Sequence, residues 1–211
     1  ILDDDIPVSN EPHVFDTTGP IMLAVLPMFM MFIVTSVIML RERASGTLER
    51  ILTTPLTRWN LLASYAVVFG LLAVLQSGIL VVLLLGPLGI ELEGPAWALL
   101  LLAFLDAVIG VALGLLASAF ARTEFQAVQF IPVFIAPQVF LCGLLVPKEQ
   151  LPDILEAIAD WLPMTWAVDV VRDVLANSDL SSDSWWRLAA LAGVVIAALS
   201  IAAASMPRKT R

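Results

Sequence analysis

Arg41-Glu42-Arg43-Ala44-Ser45-Gly46-Thr47-Leu48-Glu49-Arg50-Ile51-Leu52-Thr53-Thr54-Pro55-Leu56-Thr57-Arg58-Trp59 is a polar stretch between two long apolar runs, and it holds four of the chain's 11 basic residues. A connection that merely turned the chain back into a bilayer would need about 2–8 residues. The excess length predicts a small structure of its own. Ala44, Leu48, Ile51, Leu52 and Leu56 recur at the spacing of one helix face, while Arg43, Thr47, Glu49, Arg50 and Thr53 fall elsewhere on the wheel. Ser45 can cap the start, Glu49 sits near the positive end of the helix dipole, and Thr54 precedes Pro55, which disfavours further helix. The pattern predicts a short helix of about nine residues, roughly 13 Å long, within about 43–54. It either rests on lipid headgroups or is gripped by a soluble partner.

On either side the chain is apolar. Hydrophobic residues make up 60% of it and charged residues 14%, against about a quarter charged in soluble domains. This is the composition of an integral membrane protein. Five runs approach the ~20 residues that cross a hydrocarbon core: 21–40, 61–85, 96–120, 125–146 and 186–206. The sequence therefore predicts an all-α, polytopic bundle of five membrane-spanning helices, flanked by residues 1–20 and a tail at 207–211.

Charge assigns the sides. Eight of the 11 basic residues lie in the gaps at 41–59 and around Arg122 or after the last run, leaving Lys148, Arg172 and Arg187 opposite. Of the 19 acidic residues, 15 share that second side. By the excess of Lys and Arg in cytoplasmic loops, residues 1–20 lie outside and the C-terminus inside. The acidic surplus belongs to the outer surface and argues against a nucleic-acid partner. The chain begins at Ile1 rather than Met, and an odd number of spans entered from outside implies a preceding span, so the sequence reads as a fragment or processed chain.

Within the runs, Asp106 is the one charge well inside a span, where burial costs at least ~2.5–3.5 kcal/mol. Gln76 is a candidate hydrogen-bond partner. Asp106 then either pins two helices together or serves transport. Pro132 and Pro137 predict a kinked fourth run that lines a pathway, with Gln126, Gln129 and Gln138 to satisfy freed carbonyls. Ala103, Ala107, Gly110, Gly114 and Ser118, and again Ala189, Gly193 and Ala197, form small-residue stripes that predict close packing inside the bundle, or else a dimer face.

Residues 147–184 are too apolar for a simple loop and too interrupted to span. Leu151, Ile154, Leu155, Ile158, Trp161 and Leu162 outline one short amphipathic helix, and Trp166, Val170 and Val174 with Asp169, Arg172 and Asp173 a second. The pair is predicted to be interfacial or re-entrant. Trp185 and Trp186 mark return to the interface.

Arg-Glu-Arg-x-Ser-Gly-Thr-Leu-Glu-Arg-x-Leu-x-Thr-Pro, Arg41 to Pro55, resembles the signature that follows the second span in type-2 ABC exporter permeases, which include daunorubicin-resistance-type drug exporters. Leu162-Pro163-Met164-Thr165-Trp166-Ala167-Val168-Asp169, continuing to Arg172, also resembles that family. The resemblance implies six spans, the first missing here. It implies a coupling helix whose residues Arg41, Glu42, Arg43, Ser45, Gly46, Thr47, Leu48, Glu49 and Arg50 meet a separate ABC ATPase subunit. It further implies an outer cap over the exit containing Leu162, Pro163, Thr165, Trp166, Asp169 and Arg172, and a second permease chain, identical or different.

The residues themselves exclude several chemistries. The only lysines, Lys148 and Lys209, lack the glycines of a phosphate-binding loop, and no Gly-x-Ser-x-Gly or metal-spaced His/Cys cluster exists around the single Cys142 and His13. No cofactor is expected on this chain; ATP and Mg would sit on the partner. The expectation is a non-enzymatic permease in a prokaryotic plasma membrane, exporting a drug, lipid or glycan along a pathway that includes Gln76, Asp106, Gln129 and Gln138. The alternatives are an ion-coupled carrier or channel built on Asp106, and a membrane assembly protein that moves nothing.

Overall fold

The structure, a computed structural model, describes residues 14–46, 58–90, 92–121 and 123–205. Among these the regular structure is entirely helical: α1 Val14–Ala44, α2 Arg58–Leu85, α3 Ala96–Phe120, α4 Glu124–Gln129, α5 Ile131–Phe134, α6 Ala136–Leu141, a 3-10 turn Lys148–Gln150, α7 Asp153–Ala159, α8 Pro163–Ala176 and α9 Ser182–Ser205. Among the described residues, five segments are long and apolar enough to cross a membrane, namely Gly19–Glu42, Ser64–Leu85, Ala96–Phe120, Glu124–Leu141 and Ser182–Ala202. The all-α polytopic bundle read from the sequence is the fold observed.

α1 and α3 form its centre. At about 1.5 Å per residue α1 is roughly 46 Å long, well over the ~30 Å hydrocarbon core, so it extends past the membrane. It begins at Val14, inside the stretch read as an outer segment, and carries Pro20 and Pro27 within the helix. Gly110 and Gly114 allow α3 to lie against it: a Cβ on Gly110 would stand 2.3 Å from the Met28 carbonyl oxygen, and one on Gly114 2.7 Å from that of Phe32. The ascending register of these pairs makes the two helices parallel. The first small-residue stripe is thus internal packing, with Ala103, Ala107 and Ser118 fully buried.

The second stripe behaves differently. Ala189, Gly193 and Ala197 are exposed on α9, which meets the core through Leu188 and Leu191 instead. Among the described residues, nothing lies within 4 Å of a Cβ placed on Gly193. The expectation of internal packing fails for this helix, because the larger aliphatics Leu188 and Leu191 take the core-facing positions.

The fourth span is broken rather than merely kinked. Pro132 and Pro137 each occupy the first turn of a new segment, and the breaks fall at Phe130 and Ile135. Each proline lacks the N–H that would have bonded to the preceding turn, so one helix becomes α4, α5 and α6. Gln138 answers part of this loss by donating its Nε2 to the Phe134 carbonyl at 2.9 Å.

Beyond α6 the two short helices separate in role. α8 buries Met164, Thr165, Ala167, Val168, Val170, Val171 and Val174, and joins the main core. α7 buries only Ala159 and turns Ile154, Ile158 and Trp161 outward. Its apolar face is the one read from the sequence, but it points away from the protein, as an interfacial helix would.

Candidate functional site: the two polar ends of the bundle

One end, expected from its charge to be the inner one, is built on the last turn of α1. Residues 41–44 belong to that helix, which closes at Ser45 and Gly46: the Ser45 amide donates to the Arg41 carbonyl at 2.9 Å, and Gly46 adopts a φ of +70°. Glycine at such a helix end takes the left-handed conformation without steric cost. The coupling helix predicted at 43–54 therefore does not begin at Arg43. Ser45 closes α1 by donating its hydroxyl to the Glu42 carbonyl at 3.2 Å. Thr47, Leu48, Glu49 and Arg50 lie outside the described residues, as does the rest of that helix.

Arg41 and Glu42 reach in different directions. Arg41 makes a two-pronged ion pair with Glu124, Nε to Oε1 at 2.7 Å and Nη2 to Oε2 at 3.1 Å. The Glu42 carboxylate accepts a hydrogen bond from the Tyr65 hydroxyl on α2, and Tyr65 stacks on Phe69. The Arg41 cation stands at the C-terminal end of α1 and Glu124 is the first residue of α4, so each charge complements its helix dipole. Thr123 caps α4, accepting from the Gln126 amide at 3.2 Å. Beneath the ion pair Leu40, Ala121 and Ala127 form a small apolar cluster with Phe130.

Mid-membrane, the four pathway candidates are not brought together. Gln76 does not bond to Asp106; its Nε2 faces the Leu26 and Pro27 carbonyls of α1 at 3.4 and 3.5 Å. The expected pairing fails because α2 presents that amide to α1 at this depth. Asp106 is fully buried, and among the described residues neither carboxyl oxygen has a hydrogen-bond partner. Gln138 is buried, with its Nε2 3.9 Å from the Met28 sulfur, whereas Gln129 is exposed. Gln76 and Gln138 thus converge on α1 at residues 26–28. Beside Gln76 runs an apolar groove of about 300 Å³ between α1 and α2, lined by Leu26, Met30, Val34, Leu72, Leu75 and Ile79 among others.

The opposite end, expected from its charge to be the outer one, gathers the residues assigned to the cap. Asp169, with 14% of its side chain exposed, lies 3.3 Å from Arg187, 3.8 Å from Lys148 and 4.0 Å from Arg172. All three basic residues of that side therefore meet one carboxylate. Lys148 also pairs with Asp160 at 2.6 Å, Arg172 donates to the Gly143 carbonyl at 2.7 Å, and Trp166 donates its Nε1 to the Asp160 carbonyl at 2.7 Å. Leu162 precedes Pro163 at the first turn of α8, and Thr165 is buried. Asp173 accepts from Asn177, from the amide and hydroxyl of Ser181, and from Ser184. Burial pushes the Asp173 carboxyl up, but those hydrogen bonds outweigh it and hold the group below its ordinary value.

Sequence reasoning missed Tyr65 and Glu124 at the inner end and Lys148, Asp160, Ser181, Ser184 and Arg187 at the outer. Glu124 is 83 positions from Arg41, and no local pattern joins them. The scarcity of basic residues outside was a usable signal for Lys148 and Arg187.

The profile of the ABC-2 type transporter family matches residues 5–176. The chain is 30% identical over 175 residues to the probable multidrug ABC transporter permease YbhR of Escherichia coli, covering 80% of this chain and 47% of that protein. It is 28% identical over 163 residues to the linearmycin resistance permease protein LnrN of Bacillus subtilis, covering 77% and 41%. A eukaryotic relative, ABC transporter G family member 20 of Dictyostelium discoideum, is 24% identical over 160 residues, 76% of this chain and 22% of that protein. No solved structure matches. The chain spans about half the length of the bacterial relatives, and the family match ends with α8 at residue 176. The chain belongs to the ABC-2 type transporter family.

Proposed function

We propose that the chain is the membrane-spanning permease subunit of an ATP-driven exporter. A separate ABC ATPase subunit, holding ATP and Mg, docks on 41–58 and drives a pair of permease chains, identical or different, between inward- and outward-open forms. Cargo leaves outward, beneath the cap at 147–184. The cargo is hydrophobic or amphiphilic, a drug, lipid or glycan, which agrees with the apolar groove between α1 and α2.

The observation that carries this reading is the construction of the inner end. The docking stretch follows α1, half of the central pair, and leads into α2; at its near end Arg41 is bonded to Glu124, the first residue of α4, and Glu42 to Tyr65 of α2. A force applied there enters the bundle directly. The unpaired Asp106 gives less support to an ion-coupled carrier, because no second ionisable group joins it among the described residues, and a proton pathway needs a chain of such groups.

The test is co-purification of the full-length protein with ABC ATPase subunits of the same cell, followed by ATP hydrolysis in lipid, with and without Leu48→Asp. Leu48 lies on the apolar face predicted at 44–56, and a charge there should abolish the complex while the protein still inserts. Failure of any ATPase subunit to bind the folded protein would overturn the exporter reading. Binding that survives Leu48→Asp would move the docking element elsewhere.

A further inference from the structure

We infer that Arg41 and Glu124 form a positioning tie that makes the start of the fourth span move with α1, and that the two proline breaks in that span absorb the movement. This rests on the docking role proposed for 41–58 and gives these two residues a task other than gripping the ATPase. Three observations carry it.

The first is how the guanidinium is spent. Two of its nitrogens are bonded to both carboxylate oxygens of Glu124, the planar fork matching the carboxylate as a lysine could not. An arginine so engaged has two of its three guanidinium nitrogens committed within the chain. The pair is largely exposed to solvent, and exposed ion pairs add little to stability. What it does supply is a fixed relation between two helix ends.

The second is the contrast between the tied helices. α1 is one continuous rod locked to α3 by the close approach at Gly110 and Gly114. α4 has six residues and is cut off from α5 at Phe130, as α5 is from α6 at Ile135. The fourth span is three short rods on two joints. Displacement of the α1 end would be passed to α4 through the ion pair and the Leu40, Ala121, Ala127 and Phe130 contact, then taken up at the joints.

The third is the division of labour between neighbours. Glu42 is bonded to Tyr65 and fastens α2, leaving Arg41 to fasten α4. Adjacent residues of one helix turn thus hold the starts of two other spans. A side chain serving only to solubilise the helix end would need neither partner.

The experiment places spin labels in the full-length protein with Cys142→Ser, reconstituted in lipid with its ATPase subunit. One pair, at Ala44 and Phe125, reports the tie; the other, at Phe125 and Phe140, reports bending across the joints. All three native side chains are exposed. In the otherwise unaltered protein ATP should shift the second distance and leave the first single and narrow. Arg41→Glu and Glu124→Arg should each broaden the first distance and lose the ATP-driven shift of the second; Glu124→Arg, which lies outside the docking stretch, should do so with the ATPase still bound. The double exchange should restore both, and Arg41→Lys should recover them only in part. Tyr65→Phe, which frees α2 alone, should leave the first distance narrow.

An ATP-driven shift that persists in the single reversals, or no recovery in the double exchange, would overturn the tie. If no ATPase binds the unaltered chain, the exporter reading fails, and the first label pair still decides the tie in the chain alone. A distance unchanged by Arg41→Glu would then refute it.

Discussion

Asp173 shows how much one side chain can organise at the outer end. Its four hydrogen bonds come from Asn177, one turn on along α8, and from Ser181 and Ser184 at the start of α9. Ser181 in turn accepts from the Ser184 amide at 3.2 Å, satisfying one of the free N–H groups at the start of α9. The carboxylate therefore joins the exit of one helix to the entry of the next. Because its folded pKa is depressed, its contribution is fully present above the ordinary carboxylate value and is lost as pH falls through the lower, folded value. The outer cap should accordingly keep its stability from neutral pH down to about pH 4, near the unperturbed value, and weaken below it. Emission from Trp185, the neighbour of Ser184, would follow the transition. Asp173→Asn should remove this acid-dependent component, and an identical acid profile in that variant would show that another group controls the cap.

Among the elements, the contact of α1 with α3 is the most exacting. Gly110 faces the Met28 carbonyl, and even a methyl group there would stand 2.3 Å from that oxygen. The obstacle is backbone, which cannot rotate aside. Gly110→Ala should therefore destabilise the bundle by about 1–3 kcal/mol, the usual cost of overpacking, whereas Gly193→Ala on α9, whose added methyl meets none of the described residues, should be close to neutral. Thermal unfolding of the two variants in the same lipid would separate them; equal effects would mean that the α9 stripe is packed against another molecule. Both stripes looked alike in the sequence, because spacing alone cannot say which face of a helix finds a neighbour. The span from Ala96 to Phe120 was legible to the residue, since proline and charge bound it sharply. Breakage of the fourth span was legible as two prolines, but its division into three rods depended on packing. Arg41 was legible as part of a polar signature; its partner was not, because Glu124 lies across the whole bundle in sequence and neighbours it only after folding. Gln76 was assigned to Asp106 on depth alone, and depth does not fix azimuth.

The whole molecule is polarised, and its orientation decides whether the inner tie can meet ATP at all. Positive residues cluster around 41–58 and after α9, while the acidic residues crowd the opposite end with the Asp169 cluster. The excess of Lys and Arg predicts Ala44 in the cytoplasm and the α8–α9 turn outside. Tryptophans agree in marking one interface: Trp97 at the start of α3 pairs with Trp185 at the start of α9, and Trp161 and Trp186 are exposed at the same end of the sequence topology. The chain lends itself to a direct check, because Cys142 is its only cysteine and is buried. In a Cys142→Ser background, Ser178→Cys should react with a membrane-impermeant maleimide added to intact cells, and Ala44→Cys only after the membrane is opened. The reverse pattern would put 41–58 outside, away from ATP, and the docking role would fail together with the coupling it explains. The predicted pattern would leave the Arg41 and Glu124 tie on the side where an ATPase subunit could pull on it, and the Asp169 cluster on the opposite side of the membrane.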